Sequence, residues 1–105
     1  MRKFLESEIK KEILGWLRNQ PNSFVFSIST VGIPNGQGGF RKNFNVGCAD
    51  IIGVKNGKAF AFEVKRPKGK ATEKQLDWLG NFSSAGGYAC IVYNLIDAKQ
   101  AYSEI

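Results

Sequence analysis

The run that decides the fold is Asp50-Ile51-Ile52-Gly53-Val54-Lys55-Asn56-Gly57-Lys58-Ala59-Phe60-Ala61-Phe62-Glu63-Val64-Lys65. Asn56-Gly57 sits between two β-rich runs, the pattern of a two-residue hairpin turn. Such a turn pairs Lys55 with Lys58. Counting outward sets Val54 opposite Ala59, Ile52 opposite Ala61 and Asp50 opposite Glu63. Side chains directly opposed in an antiparallel pair have Cβ atoms roughly 5 Å apart. Strand side chains alternate with period 2, so Lys65 shares the face of Glu63. The pattern predicts two carboxylates and one ammonium on one patch of one sheet. Like charges directly opposed destabilise a hairpin, and a divalent cation with oxygen ligands is the compensation that fits.

Around this hairpin the chain alternates helices and strands. From about Leu5 to Asn19 the apolar spacing is helical. Taking about 100° per residue from Ile9, Ile13 lies at about 40°, Trp16 at about −20° and Leu17 at about 80°. Glu6 falls inside that stripe, Glu8 outside it and Glu12 on its shoulder. Pro21 ends the helix. Ser23 to Val31 alternates as a strand. Gly32 to Asn45 carries four glycines, Pro34, Arg41 and Lys42 and reads as a flexible basic loop. Gly36-Gln37-Gly38-Gly39 is not a phosphate-binding loop, because no Gly-Lys-Ser/Thr follows it. Arg66-Pro67-Lys68-Gly69-Lys70 is a basic turn. Thr72-Glu73-Lys74-Gln75 fits a capping box, with Thr72 as N-cap and Gln75 three residues on, opening a helix that runs to about Ser84. Leu76, Leu79 and Phe82 mark its apolar side, with Gln75 beside them. Gly86-Gly87 ends it. Tyr88 to Tyr93 reads as a short buried strand, and Asp97 to Tyr102 as a final helix. The fold class is α/β, in the order α-β-β-β-α-β-α around one mixed sheet.

At 105 residues the chain is expected to form a single domain, 1–105. A hydrophobic content of 43% and a charged content of 23% are those of a globular chain. Fifteen Lys and Arg against nine Asp and Glu give a net charge of +6, which favours a polyanionic partner such as nucleic acid. Two cysteines, Cys48 and Cys90, make no disulfide framework. No apolar run approaches the roughly 20 residues of a membrane span. The start, Met1 to Glu6, lacks the apolar core of a signal peptide. The expectation is a cytoplasmic protein without a membrane partner. The chain has no histidine, which removes Ser-His-Asp and Cys-His triads and His-based metal sites. Chemistry here must run on carboxylates, Lys, hydroxyls or metal-bound water.

An N-terminal helix with an inward Glu, a hairpin carrying Asp…Glu-x-Lys and a following helix with Gln together resemble the PD-(D/E)XK nuclease superfamily. More narrowly, the chain is similar to the small VRR-NUC domains found alone in phages and at the end of larger repair nucleases. The matching pieces are Gly47-Cys48-Ala49-Asp50, Glu63-Val64-Lys65 and Gln75-Leu76-Asp77-Trp78, and the similarity runs from Glu6 to about Ala98. One departure is Ala49, where the superfamily commonly has proline; that proline does no chemistry. The resemblance implies a restriction-endonuclease-like αβββαβ core and a Mg²⁺- or Mn²⁺-dependent endonuclease. Asp50, Glu63 and the backbone carbonyl of Val64 would hold the metal. Lys65 would orient the attacking water or stabilise the oxyanion. Glu6, with Glu8 as the alternative, would sit at the metal's edge, and Gln75 near the scissile phosphate. Arg41, Lys42, Arg66, Lys68 and Lys70 would contact phosphates. The implied substrate is branched or structured DNA such as a four-way junction, cut by a C₂ homodimer that supplies two sites.

Each assignment has an ordinary structural counterpart. Glu6 is favoured in a first helical turn by the helix dipole. The capping box alone accounts for Gln75. The basic loops are the usual solvated charge runs. Cys48 reads as a small buried residue, and Trp16 and Trp78 as core or interface. A nickase or RNase on the same scaffold, or a binding module without catalysis, remain alternatives. Intact Asp50, Glu63 and Lys65 argue against the last.

Overall fold

The hairpin forms in the expected register. In the computed structural model, which describes residues 5–28, 47–105 and the backbone of 33–34 and 40–41, strand β4 (Ile51–Lys55) pairs antiparallel with β5 (Lys58–Val64). Lys55 opposes Lys58, Val54 opposes Ala59 and Ile52 opposes Ala61. Asn56 and Gly57 have φ of 50° and 83°. Both turn residues are left-handed, as the hairpin turn matching strand twist requires.

The remaining elements in chain order are α1 (Glu6–Arg18), β1 (Ser23–Ser27), β2 (Ile33–Pro34), β3 (Phe40–Arg41), α2 (Glu73–Ser84), β6 (Tyr88–Val92) and α3 (Leu95–Ser103). The main sheet has the strand order β1-β4-β5-β6. In it β4 is antiparallel to both its neighbours, β1 and β5, while β6 runs parallel to β5 after the α2 crossover. The alternation of β5 divides the core in two. Phe60, Phe62 and Val64 face α1 and α3 and pack with Ile9, Ile13, Leu14, Leu17, Val25, Ile51, Val92, Ala98 and Tyr102. Ala61, on the other face, packs with Ala49 and Leu79 under α2, flanked by Ile52, Trp78, Phe82, Ala89 and Ile91. Glu63 belongs by parity to this second face.

Several expectations need correction. The segment 32–45, expected as an irregular loop, contains a small antiparallel pair, β2 with β3. The strand from Ser23 stops at Ser27, although the Ile28 N–H still bonds to the Asp50 carbonyl at 2.9 Å; 29–31 lie outside the described residues, as do Gly36 to Gly39. Leu76, read as part of an apolar stripe, is 54% exposed. In β6 only Val92 is buried, because an edge strand has a neighbour on one side only. The last helix starts earlier than expected: Asn94 caps it, accepting the Asp97 N–H at 2.8 Å, and Asp97 accepts the Tyr93 N–H at 3.1 Å. Among the described residues no helix is long and apolar enough to cross a membrane.

Candidate active site

Asp50 lies at the start of β4, held from both sides. Its carbonyl accepts the Ile28 N–H of the chain leaving β1, and its Oδ2 accepts the Val64 N–H of β5 at 2.9 Å. Glu63 lies near the end of β5, between β4 and β6, and pairs with Ile91. It is 1% exposed, and among the described residues no amide, hydroxyl or ammonium donates a hydrogen bond to either of its carboxylate oxygens. Leaving a charged carboxylate in this position is costly, so the group holds its proton instead. Burial pushes the Glu63 carboxyl up to about 9, reinforced by a hydrogen bond to Asp50 and by the charges of Asp50 and Glu6, with Lys65 opposing. The carboxyl pair that register arithmetic set side by side is close enough for Asp50 to act on Glu63. Cys48, buried two residues before Asp50, has its thiol raised by burial and then by the Glu63 and Asp50 charges. It remains a protonated small residue, as expected of it.

A cleft of about 210 Å³ opens at this end of the sheet, lined by Glu6, Ser7 and Lys10 of α1 and by Asp50 and Val64. Glu6, not Glu8, is the α1 carboxylate that lines it, and Glu6 is also the one Glu63 senses. Lys65, half-buried, stands just past β5, where its N–H bonds to the Val92 carbonyl at 3.0 Å.

No family model matches this chain, and no curated protein sequence matches it. Among solved structures, a chain described as a "VRR_NUC domain protein" superposes with a TM-score of 0.69 over 99% of this chain and 89% of its own, at 13% identity. This chain shares the fold of that protein. At that identity the likeness speaks for the fold, a restriction-endonuclease-like α/β arrangement, and the site rests on the geometry above.

In this fold α2 is anchored beside the loop that carries Asp50. Gly47 has φ of +85°, and a Cβ there would come within 2.6 Å of the Lys74 carbonyl oxygen. Only glycine permits that approach. The contact sets the first turn of α2 against Gly47-Cys48-Ala49-Asp50. The capping box is present: the Thr72 hydroxyl accepts the Gln75 N–H at 3.2 Å, and Gln75 Oε1 accepts the Thr72 N–H at 2.8 Å. The Gln75 carbonyl oxygen is thus used by the helix, which leaves its Nε2 as the group able to donate elsewhere. Arg66, Lys68 and Lys70 are exposed on the turn after β5. The Arg41 side chain and Lys42 lie outside the described residues.

The donor set suits a hard divalent cation. Two carboxyl groups in contact, one of them buried with both oxygens unpartnered, are what an oxygen-liganded ion replaces a proton on. Among the described residues no three His, Cys, Asp or Glu side chains converge as a metal cage. Val64, the residue after Glu63, also lines the cleft.

Ser7 and Lys10 were missed by sequence reasoning. The signal was available, because Lys10 follows Glu6 by four residues and so lies on the same helix face.

Proposed function

We propose that the protein is a metal-dependent endonuclease that hydrolyses phosphodiester bonds in branched or structured DNA, four-way junctions among them. The observation that carries this reading is Glu63. A carboxyl buried to 1% exposure, unpartnered and in contact with a second carboxyl, is a poor structural element and a good cation ligand. Mg²⁺ or Mn²⁺ held by Asp50, Glu63 and the Val64 carbonyl would acidify a water and neutralise charge on the phosphate. Lys65 would stabilise the oxyanion that develops at phosphorus. Glu6, on the cleft wall, would orient water at the metal's edge, and Gln75 Nε2 would donate toward the phosphate. Arg66, Lys68 and Lys70, joined by Arg41 and Lys42, would neutralise flanking phosphates and give the affinity its salt dependence.

Cutting a four-way junction symmetrically needs two sites, which a C₂ homodimer supplies. An exposed apolar patch supports this assembly. Phe24 is 70% exposed, and Phe26 and Val54 are each 44% exposed. They lie on β1 and β4, whereas α2 packs on β5 and β6.

The test is incubation with hairpin, flap, four-way-junction, duplex and RNA substrates in Mg²⁺, Mn²⁺ or EDTA. The expected result is metal-dependent cleavage of the branched DNA and none in EDTA. Absence of cleavage on every substrate with both metals would overturn the reading. Cleavage confined to RNA would move the substrate class and leave the chemistry standing.

A further inference from the structure

The cleft holds one lysine among its lining residues, and the roles assigned so far leave it unused. Lys10 is half-buried beside Glu6, Ser7, Asp50 and Val64. Among the described residues its ammonium has no ion-pair or hydrogen-bond partner. Withdrawing an ammonium partly from water without a partner is unfavourable, and an arriving anion reverses that cost. The other charged groups lining the cleft, Glu6 and Asp50, are acidic. A phosphodiester brought there meets repulsion from both carboxylates, which Lys10 is placed to offset. Lys11 gives the contrast: it is exposed and not part of the cleft lining.

We propose that Lys10 is a phosphate-binding residue for the substrate strand, its ammonium pairing with a non-bridging phosphate oxygen while the Ser7 hydroxyl donates a second hydrogen bond. The inference rests on the nuclease reading for the identity of its ligand and goes beyond it in placing substrate contact on α1, across the cleft from the carboxyl pair.

The experiment measures binding of a labelled four-way junction across a salt series, in a Glu63→Gln background so that no cleavage intervenes. One phosphate contact contributes about 0.9 to the slope of log K against log salt on duplex DNA. Lys10→Ala lowers the slope by about that amount, Lys10→Arg retains it, and Lys11→Ala leaves it unchanged. Lys10→Met, which keeps the aliphatic stem, serves if Lys10→Ala melts below the background protein. A slope indifferent to Lys10, or an equal drop from Lys11→Ala, overturns the inference while leaving the nuclease reading intact. Failure of the background protein to bind nucleic acid at any salt overturns both.

Discussion

Asp50 Oδ2 accepts the Val64 N–H at 2.9 Å, so one side chain both lines the cleft and closes the end of the β4–β5 ladder. Its two roles separate by substitution. Asp50→Asn keeps an oxygen acceptor for Val64 and removes a charge from beside Glu63, so in EDTA it should melt no lower than the wild type. Asp50→Ala leaves the Val64 N–H unpaired, at about 1–3 kcal/mol, and should melt several degrees lower. Paired thermal melts of the two variants check this; equal losses in both would show that the charge itself is structural.

Catalysis should depend on all three hairpin residues. Asp50→Asn, Glu63→Gln and Lys65→Ala are each expected to lower the cleavage rate by at least ~10²-fold, the scale of removing one key electrostatic group. Binding of the same DNA should largely survive. Rates from purified Glu63→Gln are the decisive measurement, and near-normal cleavage there would remove the proposed site.

The raised Glu63 carboxyl predicts an inverted pH profile. The folded chain holds a proton that the unfolded chain releases above the ordinary value of 4.5, and burial keeps it there up to about 9. The stability that this proton contributes is complete below 4.5 and lost as pH rises through about 9. In EDTA the melting temperature should therefore fall across this range, and Glu63→Gln should flatten that component. Mg²⁺ competes with the proton, so its stabilising effect should grow with pH. Melts over a pH series with and without metal test both statements.

Gln75 carries a capping role and an expected catalytic one. Gln75→Ala breaks the capping box and should destabilise the protein by roughly 0.5–2 kcal/mol. Gln75→Glu keeps the side-chain oxygen that accepts the Thr72 N–H. If Nε2 serves the phosphate, cleavage by Gln75→Glu drops although its melting temperature holds. Wild-type rates in Gln75→Glu would assign the residue to the cap alone.

The exposed patch of Phe24, Phe26 and Val54 predicts a dimer at micromolar concentration and paired nicks on opposite strands of a junction. Light scattering on the wild type and on Phe24→Ser/Phe26→Ser should show the dimer and its loss. A wild-type monomer making single nicks would defeat the junction-resolving assembly.

What could be read from the sequence was what short-range rules control. Asn56-Gly57 sets the register, the register sets Asp50 against Glu63, and the capping box marks the start of α2. What could not be read depends on which surfaces the folded chain leaves open. Leu76 looks like a core residue by pattern but is 54% exposed, while α2 packs on β5 and β6 and leaves Phe24 on β1 bare, as an apolar residue beyond the reach of one small core. Trp78, read as core or interface, stacks on Phe82 at 5.1 Å and packs, partly buried, against the core under α2. The four-residue spacing puts Lys10 on the helix face of Glu6, and the fold adds that this face lines a cleft.

The hairpin turn lies far from the carboxyl groups it brings together. Six residues separate Gly57 from Glu63, roughly 20 Å of extended strand at about 3.3 Å per residue. Adding one residue at the turn would shift the pairing by one position and exchange the two faces of β5. Phe60, Phe62 and Val64 would then turn toward α2, and Glu63 would be driven into the packing beneath α1. The site can thus be silenced by an insertion that touches nothing near the cleft, and deletion scanning along this strand should find the turn as intolerant as the carboxylates themselves.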